Sequence, residues 1–61
     1  MKRCDLVQHV ERSGCYLDRE GANHSIYRNP ANGRCAAAAR HREIKDTTAR
    51  TICDQLGIPR L

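Results

Sequence analysis

Three histidines are the side chains of this 61-residue chain best suited to proton transfer near neutral pH: His9, His24 and His41. His9 lies inside a predicted helix, where a structural role is the simpler interpretation. His24 follows a glycine-containing turn at the start of a predicted strand, where a sheet holds a side chain and leaves it open to a ligand. His41 stands between two arginines. Among the three, position favours His24 as a general acid or base, with His41 second.

A surplus of arginine is the second chemical feature. The chain has 11 lysines and arginines against 7 acidic residues, a formal net charge of +4, and most of the basic residues are arginine. A guanidinium group binds phosphate through two parallel hydrogen bonds more readily than an ammonium group does. Four arginines belong to the predicted strands or their turns, namely Arg19, Arg28, Arg34 and Arg40. Solvated surface charge is the plain interpretation, but arginines gathered on one sheet face would attract a polyanion, most naturally nucleic acid.

The spacing of the four cysteines and the length of the apolar runs argue against a metal site and a membrane span. Cys4, Cys15, Cys35 and Cys53 form no CxxC pair and no close couplet with histidine of the kind that zinc sites use. The longest apolar run, Cys35–Ala39, is far shorter than the roughly 20 residues that span a membrane. The N-terminal segment lacks the apolar core of a signal peptide. We therefore expect reduced cysteines, no metal, no cofactor, no membrane and a cytoplasmic location.

Two helices, one near each end of the chain, would support these groups. Apolar residues between Leu6 and Val10 recur at helical spacing, and Gly14 is suited to end that helix. Asp46 is predicted as the N-cap of the second helix and Gly57 as its end. The apolar face of this second helix consists of Ala49, Ile52, Cys53 and Leu56.

Three strands are predicted between the helices. The first covers residues 15–19 and the second is carried by residues 25–27, with a turn at residues 21–23. Residues 29–33 contain Asn-Gly, which tolerates positive φ at both central positions of a hairpin turn. The third strand, residues 34–40, is predicted from its place after this turn, against the poor β-propensity of its alanines. One α+β domain, residues 1–61, follows: α-β-β-β-α, with a three-stranded antiparallel sheet, two helices on one face and the other face open.

Three segments, taken in order, carry a family resemblance. They are Gly21-Ala22-Asn23-His24-Ser25-Ile26-Tyr27 followed by Pro30, then Arg40-His41-Arg42-Glu43-Ile44-Lys45, then Ile52-Cys53-Asp54-Gln55-Leu56-Gly57-Ile58. Over nearly the whole chain they resemble the HicA toxins of bacterial toxin-antitoxin pairs. The resemblance implies a fold like that of a double-stranded RNA-binding domain. It also implies a ribonuclease that cuts messenger RNA, arrests growth and is silenced by a HicB-type antitoxin.

The resemblance also implies roles for particular residues. His24 matches the family's catalytic histidine, although Ala22 and Asn23 stand where the family has Gly-Ser, and Ala39 stands where it has proline. We expect RNA to be bound around His24 and along the strands by Arg19, Asn23, Ser25, Arg28, Arg34, Arg40 and His41. An oligomer is expected through the antitoxin complex.

Alternatives to a nuclease use the same residues. The nuclease reading makes His24 the general base that takes a proton from an RNA 2′-hydroxyl, without metal, and leaves open whether water attacks instead. A non-catalytic RNA-binding module would use His24 only to hydrogen-bond a phosphate or a 2′-hydroxyl. A DNA-binding regulator is disfavoured, because such a protein needs a basic recognition helix, and Arg50 is the one basic residue in the interior of the second predicted helix.

Overall fold

The computed structural model describes residues 1–60, and its elements follow the order α-β-β-β-α. Helix α1 spans Arg3–Arg12, strands β1, β2 and β3 span Tyr16–Glu20, His24–Arg28 and Cys35–Ala39, and helix α2 spans Asp46–Leu56. The strands form one antiparallel sheet in the order β1-β2-β3. The predicted α+β class and element order are therefore confirmed. Within residues 1–60, neither helix is long and apolar enough to cross a membrane.

Both helices pack on the same face of the sheet. Burial alternates along β2 and β3, so that every second side chain faces the helices. In β2, Ser25 and Tyr27 are buried, whereas His24 between the turn and Ser25 is exposed. Ala36 and Ala38 of β3 are buried in the same way. The core also contains residues from both helices and from the segments that follow β3 and α2, namely Leu6, Val10, Cys15, Ile44, Ala49, Ile52, Cys53, Leu56 and Ile58.

The alanine-rich strand β3 is the clearest case in which packing overrides propensity. Its alternating burial places Ala36 and Ala38 against the helices, and the pairing of Ala36 with Tyr27 fills the space beside a large side chain. Small side chains also allow α2 to lie close to the strand. The gain from burial and from the sheet's hydrogen bonds therefore exceeds the weak preference of alanine for helix.

The turn between β2 and β3 differs from the predicted hairpin turn. Among residues 1–60 no residue other than glycine has a positive φ, so Asn32 does not adopt one, while Gly33 does, with φ of 74°. The amide of Asn29 donates to the carbonyl of Arg34 at 2.7 Å, and the amide of Gly33 donates to the carbonyl of Asn29 at 2.8 Å. The loop is thus longer than predicted. It brings the side-chain amides of Asn29 and Asn32 to the carbonyl of Leu56, at 2.8 and 3.0 Å.

The helix ends are partly as predicted. The prediction that Asp46 is the N-cap of α2 is wrong: Lys45 occupies that position without a side-chain cap, and Asp46 is the first helical residue. Its carboxylate lies 3.4 Å from the amine of Met1 instead, and it still stabilises the positive end of the helix dipole. Gly57 ends α2 in the left-handed conformation, as predicted. Helix α1 ends at Arg12, just before Gly14.

Candidate functional site

The imidazole of His24 lies on the open face of the sheet, at the first position of β2. Burial alternates along this strand, so the side chain of His24 points away from the helices that cover Ser25. Within residues 1–60, the His24 ring makes no hydrogen bond and no ion pair. It is therefore available to accept a proton from a ligand on that face.

The other two histidines have different surroundings. A ring nitrogen of His9 lies 2.6 Å from the carbonyl oxygen of Pro59, so His9 connects α1 to the chain after α2. That contact agrees with the structural role predicted for it. His41 is exposed in the segment that directly follows β3. Because Ala39 is the sheet partner of His24, His41 belongs to the same end of the sheet.

The turn at residues 21–23 brings the backbone close to His24. The amide of Gly21 donates to the carbonyl of His24 at 2.7 Å, and the amide of Arg40 donates to the carbonyl of Asn23 at 3.3 Å. A Cβ atom at Gly21 would lie only 3.3 Å from the carbonyl oxygen of His24. Glycine at this position therefore permits the tight approach that defines the start of β2.

The strand arginines lie at different distances from His24 along the sheet. Arg19 is paired with Ile26, two residues along β2 from His24 on the open face. Diagonal neighbours of this kind have α-carbons about 7–8 Å apart, within reach of a long side chain. Within residues 1–60 the exposed Arg19 side chain makes no ion pair or hydrogen bond, and it lines a groove together with Ile26, Arg34 and Ala37.

Arg28 and Arg34 lie at the far end of the sheet from His24. Arg28 is four positions along β2, about 13 Å away at the usual rise per strand residue. Its guanidinium contacts the carbonyl of Gly33 at 3.2 Å and the carboxylate of Asp18 at 3.5 Å. The side chain of Arg34 passes beside Gly57, at the end of α2. The four arginines thus do not form one cluster around the imidazole.

Two predicted site residues are engaged by the protein itself. Ser25 has 0% exposure, and its hydroxyl bonds with Arg3 and Glu20. Because Ser25 has no exposed surface, we do not propose that it binds RNA. The guanidinium of Arg40 lies 2.6 Å from the carboxylate of Glu20 and also donates to the carbonyl of Gly21. Its charge is therefore partly neutralised.

Basic residues that the sequence reasoning missed join the His24 end of the sheet. The amide of Arg3 donates to the carbonyl of Arg42 at 2.9 Å, and Lys2 forms a β-bridge with Glu43. These bonds hold the start of α1 beside the segment that leaves β3. The Arg-His-Arg run directly after the third predicted strand was the available signal for Arg42, whereas nothing local indicated Lys2.

Within the described part of the chain, the cysteines and acidic groups show no disulfide and no metal-binding cluster. Cys15 and Cys53 are buried and Cys4 and Cys35 are exposed, and no disulfide joins them within residues 1–60. Across residues 1–60, no group of three or more histidine, cysteine, aspartate or glutamate side chains is arranged to hold a metal ion.

The fold and the site together define a small α+β protein with a covered sheet face and an open face that carries an exposed histidine and cations. The family model for the HicA toxin of bacterial toxin-antitoxin systems matches residues 3–58, and the chain belongs to this family. Membership supports a role as a toxin and implies an antitoxin partner. No curated protein and no solved structure matches the chain.

Proposed function

We propose that this toxin is a metal-independent ribonuclease that cleaves messenger RNA, with His24 as the general base. The observation that carries the proposal is the exposed and unbonded imidazole on the open sheet face, with the unpaired Arg19 as its diagonal neighbour. A base and a cation on one flat face suit a ribose and its adjacent phosphate.

In the proposed reaction, neutral His24 takes the proton of an RNA 2′-hydroxyl. The 2′-oxygen forms a bond to the adjacent phosphorus, and the bond from phosphorus to the 5′-oxygen of the next nucleotide breaks. The departing oxygen takes a proton from the imidazolium or from water, leaving a 2′,3′-cyclic phosphate and a 5′-hydroxyl. Because DNA has no 2′-hydroxyl, this chemistry is restricted to RNA.

The cations are proposed to act at different distances from the scissile bond. Arg19 stabilises the charge that develops on the phosphate, while Arg28 and Arg34 bind the backbone farther along the strand. Asn23 and His41 contact RNA beside His24, where both are exposed. Arg40 contributes only the hydrogen-bond donors that Glu20 and Gly21 leave unused.

A HicB-type antitoxin is proposed to silence the toxin by covering the open face and placing acidic groups against the arginines. Such a cover would also stabilise the small domain by binding only its folded state. We expect oligomers to arise through this complex and place the activity in the cytoplasm, where messenger RNA is translated.

The test is cleavage of a defined transcript by purified protein in excess chelator, for the wild type, His24→Ala and His9→Gln. We expect His24→Ala to cleave about 10²–10⁴-fold more slowly, as is typical for loss of one general base, and to lose growth arrest. His9→Gln removes an imidazole far from the open face and should cleave normally.

Each other outcome contradicts a particular part of the proposal. Cleavage by His24→Ala at the wild-type rate would remove His24 from the reaction. Binding of RNA by the wild type without cleavage would favour the RNA-binding module, and loss of cleavage in chelator would show a need for metal. A plain phosphate at the new 3′ ends, formed without a cyclic intermediate, would identify water as the nucleophile.

A further inference from the structure

Four side chains form a continuous chain of polar contacts beside the turn that carries His24. This set, called the turn clamp below, consists of Arg3, Glu20, Ser25 and Arg40. The hydroxyl of Ser25 donates to Oε1 of Glu20 at 2.8 Å and accepts a hydrogen bond from Nη2 of Arg3 at 3.0 Å. The other oxygen of Glu20, Oε2, lies 2.6 Å from Nη2 of Arg40. The turn clamp thus links α1, β1, β2 and the end of β3.

The turn clamp ends on the backbone on both sides of His24. The guanidinium of Arg40 donates to the carbonyl of Gly21, whose own amide bonds to the carbonyl of His24 at 2.7 Å. On the other side, Nε of Arg3 donates to the carbonyl of Ala39 at 3.2 Å, and Ala39 is the sheet partner of His24. The turn before His24 and the strand beside it are therefore held by one network.

The composition of the turn clamp is unusual for a device that only stabilises the fold. The side chains of Arg40 and Glu20 are 41% and 49% exposed, and ion pairs at such exposure add little to stability. Ser25 is fully buried on the face that packs against the helices, where an apolar side chain would avoid the need for polar partners. What the network does provide is a fixed position for the backbone around His24.

We propose that the turn clamp positions the imidazole of His24 for the reaction, so that its members act as positioning residues. This inference rests on the proposed ribonuclease function. A displacement of about 1 Å in a catalytic group can cost on the order of 10²-fold in rate. Release of the turn at residues 21–23 would move the residue that immediately follows it.

The test compares two variants that each neutralise one carboxylate paired with arginine. Glu20→Gln keeps the shape of the side chain but removes the charge that holds Arg40. We expect kcat for cleavage to fall at least about ten-fold while KM for RNA stays within about three-fold of wild type, a split expected of misplacement and not of lost binding. The amide of Gly21 should also exchange with solvent faster.

Asp54→Asn is the matched control. Arg60 lies 2.7 Å from Asp54 beyond the end of α2, and its hydrogen bonds hold the pKa of this carboxyl below the ordinary value. Removing this charge should leave kcat and the exchange of the Gly21 amide unchanged. Arg40→Lys, which keeps the charge but loses the guanidinium fork, provides a milder second variant if Glu20→Gln does not fold, and it should lower kcat less.

A double variant and an activity-independent measurement separate the two proposals. Glu20→Gln with Arg40→Gln should reduce kcat no more than the larger single effect, because both changes break the same link.

If His24→Ala abolishes cleavage but Glu20→Gln leaves kcat unchanged or raises only KM, the positioning role is overturned and the ribonuclease stands. If His24→Ala still cleaves RNA, the ribonuclease mechanism and the positioning inference that rests on it both fall. Unchanged exchange of the Gly21 amide in Glu20→Gln would overturn the positioning inference alone.

Discussion

The two turns that flank β2 are held against the rest of the protein by different interactions, charged in one turn and neutral in the other. The turn before His24 is held by the turn clamp, which is charged and partly exposed. The turn after Arg28 is held by two neutral amides, from Asn29 and Asn32, that bond to the last carbonyl of α2. One strand thus has a charged end, where the candidate reaction takes place, and a neutral end, where the sheet is attached to a helix.

This difference suggests different roles for the two turns: the turn before His24 positions a candidate catalytic residue, and the turn after Arg28 stabilises the fold. The carbonyl of Leu56 lies at the end of a helix, where backbone groups lack partners within the helix, so Asn29 and Asn32 satisfy a group that would otherwise be costly to bury. Asn29 is itself only 6% exposed. The exposed ion pair of the turn clamp in contrast joins the charges of Arg40 and Glu20, which water would also satisfy. We therefore expect damage at the neutral end to lower stability and damage at the charged end to lower activity.

A substitution at Gly57 should produce the largest change in stability. Gly57 has φ of 70°, and an added Cβ would lie 2.6 Å from the side-chain nitrogen of Asn32. Left-handed backbone costs a non-glycine residue about 1–2 kcal/mol, and a lost hydrogen bond about 0.5–1.5 kcal/mol. Gly57→Ala should therefore lower the free energy of unfolding by about 2–3 kcal/mol in denaturant titrations, while the folded fraction cleaves RNA at the wild-type rate.

Gly21→Ala is the counterpart at the charged end. Gly21 does not have a positive φ, and the new Cβ would press on the carbonyl of His24 from 3.3 Å. The free energy of unfolding should change by less than about 1 kcal/mol, since alanine also restricts the unfolded chain. Cleavage should slow several-fold because the start of β2 must shift. The comparison fails if Gly21→Ala unfolds the domain while Gly57→Ala mainly slows cleavage.

The parts of the fold that follow from local patterns were predictable. Spacing of apolar residues gave both helices, and the glycine after Leu56 gave the end of the second. The alanine strand was predicted only from its place after a turn, because its propensity favours helix and the contact with α2 is not encoded locally. The turn at residues 29–33 was located correctly but built differently, since its asparagines serve the distant carbonyl of Leu56.

The candidate site was predictable to the same degree. The place of His24 after a glycine-containing turn at the start of a strand predicted an accessible side chain, and the side chain is exposed. Alternation of side chains along β2, applied from Tyr27, would have placed Ser25 in the core. The partners of Ser25 were not predictable, because Arg3 is 22 residues away in sequence and meets it only after α1 has packed on the sheet. Pairing across the tertiary structure also decided that Arg40 serves Glu20, a choice that composition cannot reveal.

Alkaline pH should act on the packed side of β2 rather than on the turn clamp. Burial is the largest cause of a raised pKa at Tyr27; the charge of Arg3 lowers this pKa, and the carboxylates of Glu11 and Glu20 raise it. Burial likewise raises the pKa of Cys15. Both groups are neutral when protonated, so their contribution to stability is complete below the ordinary pKa values, about 8.5 for a thiol and about 10 for a phenol. It is lost as the pH rises through the higher pKa values of the folded protein.

Tyr27→Phe tests this assignment because it keeps the ring in the core and removes the ionisable hydroxyl. Between pH 7 and the alkaline range, the variant should lose less free energy of unfolding than the wild type, and Cys15 should contribute to the remaining loss. Equal losses in the two proteins would show that the phenol of Tyr27 plays no part. The measurement is a set of denaturant titrations at several pH values.

Added salt should produce the smallest effect, and it should distinguish most directly between the ways in which the turns at the two ends of β2 are held. The amides of Gly21 and Gly33 are a matched pair of reporters, since each donates to a backbone carbonyl in its turn, at 2.7 and 2.8 Å. Raising the ionic strength screens the exposed ion pair of the turn clamp but not the neutral bonds of Asn29 and Asn32. Exposed pairs contribute about 0.2–1 kcal/mol, so hydrogen exchange at Gly21 should accelerate by no more than about five-fold while exchange at Gly33 stays constant. Equal acceleration at both amides would mean that salt weakens the whole domain, and that the charged and neutral turns are held in the same way.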